Sequence, residues 1–111
     1  MQVKVYATLR LKIGRAKIDV QAGPGDTVRD VVYEVLEQYP ALRPDLLSGE
    51  GELVKRVHVF LGGRNVYLLN GLDTLIQEGQ TLDIFPPVAG GQNLMVRRAL
   101  DSSTLQRPGR N

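Results

Sequence analysis

After its last apolar run the chain reads Pro86-Pro87-Val88-Ala89-Gly90-Gly91. Glycine has no Cβ, so a Gly-Gly pair makes a thin strand that admits close approach and unusual dihedrals. Two prolines at its base stiffen the arm and lower the entropy lost when it docks. Such an arm suits entry into another protein's narrow cleft. Within the chain itself, the residue sets that do catalysis are missing. There is no cysteine, which excludes a thiol nucleophile, thiolate metal ligands and disulfides. His58 is the single histidine, and no Cys or carboxylate set surrounds it at zinc-ligand spacing. It reads as a solvated sheet residue. No Ser-His-Asp or paired-carboxylate pattern occurs, and Asp26 with Asp30 reads as helix-start chemistry.

The arm must be held by the elements before it. Residues 2–8 alternate, with Val3, Val5 and Ala7 on one side, and predict a half-buried strand. Residues 15–21 repeat the pattern around Ile18 and Val20, with Gly14 in the connection, which predicts a hairpin. Gly23-Pro24-Gly25 breaks the sheet, and Asp26 or Thr27 can cap a helix. Val28, Val31, Val32, Val35, Leu36 and Tyr39 then follow at helical spacing until Pro40. Residues 41–55, with Pro44 and Ser48-Gly49-Glu50-Gly51-Glu52, predict an irregular, mobile loop. Val57, Val59 and Leu61 line a third strand; Gly62-Gly63 turns the chain; Val66-Tyr67-Leu68 predicts a fourth. Asn70-Gly71 and Glu78-Gly79 are turns, and a last strand at 81–85 points Leu82 and Ile84 inward before Pro86-Pro87 stops it.

Strand, strand, helix and three more strands predict an α+β roll, with one main helix across a mixed sheet of four or five strands. The first and last strands lie parallel and adjacent near the centre. This is the β-grasp, or ubiquitin-like, arrangement. By the period-2 rule Tyr6, Phe60 and Phe85 all point away from the helix. Three neighbouring aromatics on an uncovered face predict a partner surface.

The bulk properties agree with one small soluble domain: 42% of residues are hydrophobic and 23% charged. The net charge of +2 is uneven. Through Gly91 there are ten basic and eleven acidic residues; beyond it Arg97, Arg98, Arg107 and Arg110 face only Asp101. No basic stripe interleaved with aromatics argues for nucleic acid, and no long apolar run argues for a membrane span or signal peptide. The expected location is the cytoplasm.

The segment Asp83-Ile84-Phe85-Pro86-Pro87-Val88-Ala89-Gly90-Gly91 resembles the ending of the β-grasp sulfur carriers, the MoaD/ThiS-like family that includes the molybdopterin-synthase small subunit. Leu68-Leu69-Asn70-Gly71-Leu72-Asp73-Thr74-Leu75, Glu78-Gly79-Gln80 and the opening Val3–Arg10 are also similar to that family. The resemblance covers residues 1–91. It implies a carrier and not an enzyme: Gly90-Gly91 is the reacting terminus, and Pro86, Pro87, Val88 and Ala89 form the docking arm. A ubiquitin-activating-type enzyme would adenylate Gly91 with ATP, and a sulfur donor would convert it to a thiocarboxylate. The recipient would be a sulfur-accepting enzyme such as the molybdopterin-synthase large subunit. No cofactor is expected on the carrier itself.

One departure is plain. Members of the molybdopterin branch usually end at the second glycine, whereas residues 92–111 follow here, locking the Gly91 carboxyl in a peptide bond with Gln92. The Gly91–Gln92 bond is therefore a candidate processing site for a zinc metalloprotease, with 92–111 a mobile, removable extension of the 1–91 domain. The tail could instead belong permanently to an adapter that carries no sulfur, or be an artefact of the gene boundaries. A ubiquitin-like modifier joined to lysines through Gly91 is the alternative function, and a plain interaction module is a third.

Overall fold

The inward row of β1 (Gln2–Val5), Val3 and Val5, is almost completely buried, as its alternation requires. The computed structural model describes residues 1–86. Along them follow α1 (Ala7–Ile13), β2 (Lys17–Asp19), α2 (Val28–Gln38), a 3-10 turn (Pro40–Leu42), α3 (Arg43–Leu46), β3 (His58–Leu61), β4 (Arg64–Asn65), 3-10 turns at Val66–Leu68 and Gly71–Asp73, and β5 (Leu82–Phe85). The five strands form one mixed sheet in the order β2-β1-β5-β3-β4. β5 lies parallel to β1, with Val3 opposite Leu82 and Val5 opposite Ile84, and antiparallel to β3, with Val59 opposite Ile84. The expected α+β roll with parallel first and last strands at its centre is what forms.

The main helix begins where its capping chemistry dictates. Thr27 and Asp30 make a reciprocal capping box, each side chain accepting from the other's backbone N–H. Val28, Val31, Val32, Val35 and Leu36 are buried against the sheet. Valine is a weak helix former, so this burial, about 1.5–3 kcal/mol per side chain, holds the helix more than propensity does. At the other end of the core, Gly62 and Gly63 both take positive φ, 57° and 84°. A two-residue type I′ hairpin needs that at both positions, and they join β3 to β4.

Four expectations are corrected. The first strand stops at Val5, and residues 7–13 form a helix, so β1 and β2 are joined through α1 and not by a simple hairpin. Leu9 packs into the core, and Gly14 at φ 77° closes the helix with its N–H on the Arg10 carbonyl. Ala7 is therefore not an inward strand residue. Second, β2 is three residues long, shorter than 15–21. Third, the 41–55 stretch is packed: Leu42, Leu46, Leu47 and Leu53 are buried, and Leu47 bridges Leu53. Leucines outvoted the Pro and Gly signals there. Fourth, the fourth strand is Arg64–Asn65, and Val66–Leu68 is a 3-10 turn that buries Val66.

Val32 is fully buried at the centre of the α2–sheet contact. Val32→Asp would place an unpaired carboxylate there, so the domain is expected to lose its cooperative thermal transition in circular dichroism. A variant melting like the parent would overturn this packing.

Candidate functional site

β5 is the central strand, and its last residue, Phe85, is the base of the arm. Pro86 directly after it is buried. The rest of the sequence-predicted arm and terminus, Pro87, Val88, Ala89, Gly90 and Gly91, together with the Gln92 side of the processing site, lies outside the described residues. What the structure does place is an aromatic platform around the end of β5.

That platform is built on the sheet face opposite α2. Alternation along β5 turns Leu82 and Ile84 inward, and Asp83 and Phe85 outward; β3 likewise turns His58 and Phe60 outward. Tyr6 follows β1 immediately. Its ring stacks on Phe85 with centroids 4.2 Å apart and planes 7° apart. Phe60 meets Phe85 edge to face at 5.8 Å and 83°. The three aromatics form a cluster of their own, separate from the main core. The Tyr6 hydroxyl donates to Asp83 Oδ1 at 2.8 Å. Burial of the ring, then the hydrogen bond to Asp83 and its charge, push the Tyr6 phenol up to about 12.

The sequence brought Tyr6, Phe60 and Phe85 together correctly, but their exposure is corrected. Phe60 and Phe85 are 3% and 5% exposed, and Tyr6 is half-buried. Rings in a stacked and edge-to-face cluster shield one another, and Phe60 also has β4 and β5 on either side. Truncating either phenylalanine would therefore cost fold stability as well as contact area. Tyr6 is the more accessible edge of the platform. Asp83 was missed as a site residue. The available signal was an outward-facing acid two positions before Phe85, between Lys4 and Phe60 in register.

His58 is also corrected. It sits directly opposite Phe85, half-buried, and its Nδ1 is buried without a hydrogen-bond partner. Burial lowers its pKa, because the imidazolium loses more hydration than the neutral ring. Elsewhere, a shallow cleft along α2 is lined by Gln21, Asp30, Tyr33, Glu34 and Glu37. Two of its carboxylates already have structural work: Glu34 accepts from the Gln21 and Ala22 amides, and Asp30 from Thr27. Among the described residues no group of His, Cys, Asp and Glu could hold a metal ion.

With its folded pKa depressed, His58 favours folding above its unfolded value of about 6.5, and that contribution is lost as pH falls below it. The imidazole resonances of this single histidine should titrate below 6.5, and His58→Gln should flatten part of the acid loss of stability. A titration midpoint at or above 6.5 would overturn the burial argument.

Comparison with known proteins fits this geometry. Residues 3–91 match the ThiS family. The chain is 33% identical to small archaeal modifier protein 3 of Haloferax volcanii, over 82% of this chain and 98% of that one. It is 32% identical to the sulfur carrier protein CysO of Mycobacterium tuberculosis, over 60% of this chain and 74% of that one. A crystal structure of the Amycolatopsis orientalis BexX/CysO complex superposes with a TM-score of 0.69 at 25% identity, covering 81% of this chain and 98% of that one. The family match runs through all five strands, the platform and the glycine pair, and the chain belongs to the ThiS family of small β-grasp sulfur-carrier and modifier proteins, which are carriers and not catalysts.

Proposed function

We propose that this protein is a sulfur carrier made as a precursor, whose Gly91 becomes reactive once residues 92–111 are removed. The observation that carries the reading is that the family match ends at residue 91, on the second glycine, while the chain continues for twenty residues. A carboxylate at neutral pH is a poor electrophile. With the tail removed, a carboxylate oxygen of Gly91 attacks the α-phosphorus of ATP and pyrophosphate leaves. A sulfur nucleophile at the oxidation level of sulfide then attacks the acyl carbon, AMP leaves, and a thiocarboxylate remains. Both steps occur in the site of a ubiquitin-activating-type adenylating enzyme, so ATP and the sulfur donor are bound by the partner and the carrier needs no cofactor of its own.

The recipient is a sulfur-accepting enzyme, with the molybdopterin-synthase large subunit as the first candidate. A zinc metalloprotease cutting between Gly91 and Gln92 is the processing partner. Tyr6 is the accessible edge of the docking platform, backed by buried Phe60 and Phe85; Pro86, Pro87, Val88 and Ala89 form the arm, and Gly90-Gly91 the terminus. The cytoplasm is the proposed compartment; among the described residues no helix is long and apolar enough to cross a membrane. The similarity to a protein named as a modifier supports a second reading, conjugation of Gly91 to lysines of other proteins. Both fates begin with the same acyl-adenylate.

We take chain 1–91 as the folding unit: the family match spans residues 3–91, and the Haloferax modifier aligns over 98% of its own length with 91 residues of this chain. Chains 1–111, 1–91 and 1–91 with Gly91→Ala would be compared with the host's adenylating enzyme, ATP and a sulfur donor. Only chain 1–91 should be adenylated and thiocarboxylated efficiently. The alanine methyl should slow it by crowding the approach to the α-phosphate. Intact mass separates the two fates: sulfur in place of oxygen marks the carrier, and a ladder of larger species marks the modifier. A tail retained in the host, together with no adenylation of chain 1–91, would leave the adapter reading in its place.

A further inference from the structure

Asp83 is the odd residue of the platform. Aspartate is disfavoured in strands, and this one stands in the central strand beside aromatic rings. Lys4 is its register neighbour on β1, yet the two form no ion pair. The polar partner it has among the described residues is the Tyr6 hydroxyl, 77 positions away in sequence. Tyr6 lies just beyond the last paired residue of β1, and its carbonyl accepts from the Leu9 N–H as the N-cap of α1. The next residue, Ala7, is at φ 53°, in the left-handed region that costs a residue with a Cβ about 1–2 kcal/mol. Such a conformation persists only where its surroundings over-determine it. Here the surroundings are α1, which starts at Ala7 and is anchored by the Tyr6 carbonyl and buried Leu9, and, for the Tyr6 side chain, the stack on Phe85 and the bond to Asp83.

We infer that Asp83 is a positioning residue for the carrier reaction: by holding the Tyr6 hydroxyl it keeps the Tyr6 ring flat on Phe85 and so fixes the strand end from which the arm leaves. The inference rests on the carrier reading above. Gly91 lies six residues beyond Phe85, a reach of about 20 Å when extended. Over so short a tether, the direction of the base decides which volume the terminal carboxylate samples. A latched base has settled its orientation before the partner arrives. An unlatched base adds that ordering to the cost of docking, which appears in KM for the carrier and not in turnover once bound.

The test is carrier-dependent ATP–pyrophosphate exchange by the host's adenylating enzyme, using chain 1–91 and its Tyr6→Phe, Asp83→Ala, Asp83→Asn and Tyr6→Phe/Asp83→Ala variants. Loss of one hydrogen bond should raise KM about three- to tenfold in Tyr6→Phe and Asp83→Ala, with kcat little changed and no further rise in the double variant. Asp83→Asn keeps an oxygen that accepts from the phenol, so it should restore most of the parent KM. In the full chain, NMR should show the ring-current shifts of Tyr6 and Phe85 collapsing in Asp83→Ala and surviving in Asp83→Asn. An unchanged KM or unchanged ring shifts in Asp83→Ala would overturn the inference. So would an Asp83→Asn variant as impaired as Asp83→Ala, since charge and not the latch would then matter. If parent chain 1–91 supports no exchange, the carrier reading falls and the positioning role falls with it, while the ring shifts still report whether Asp83 holds the ring.

Discussion

The parallel pairing of β1 with β5 places the two ends of the described chain side by side at the centre of the sheet. Neither strand is long enough to matter alone; each has four residues. Together they bury Val3, Val5, Leu82 and Ile84 beneath α2 and make the seam on which the other strands depend. A parallel pair cannot close through a tight turn, so the whole intervening chain becomes its crossover. The outward residues of the same two strands then meet as well. Tyr6 lands on Phe85 because Val5 lies opposite Ile84.

That geometry suits a protein that is acted upon. On the proposed carrier reading the tasks divide along the sequence: the sheet that ends at Phe85 supplies orientation, and Gly90-Gly91, without a Cβ, supply thinness.

The platform also carries local costs that the fold offsets. Ala7 adopts a left-handed conformation, His58 leaves a ring nitrogen unpaired, and Asp83 puts a carboxylate among aromatic rings. All three lie within two residues of Tyr6 or Phe85 in sequence or directly across from them in register. Strain and unsatisfied polar groups collect at binding and reacting sites more than in scaffolds. Their convergence at the end of β5 supports the proposal that this end of the sheet is the docking platform.

Much of this was legible in the amino-acid order because it is local. Alternation of period 2 marked β1, β3 and β5; helical spacing from Val28 to Tyr39, after a cap at Asp26 or Thr27, marked α2, and the structure chose Thr27 with Asp30. The order of those elements was enough for the roll and for the facing of Tyr6, Phe60 and Phe85. The rest needed the assembled fold. The seven residues of α1 are too few to be helical by propensity; burial of Leu9 and the Gly14 cap decide them. Leu42, Leu46, Leu47 and Leu53 sit amid Pro and Gly signals and become core only when the sheet is there to receive them. Burial of the two phenylalanines, the unpaired His58 nitrogen and the Tyr6–Asp83 bond are contacts between segments far apart in the chain. By itself the sequence determined the periodicities, the breaks between elements and their order; tertiary structure decided which side chains lose water and which find partners, because those depend on neighbours that only folding brings together.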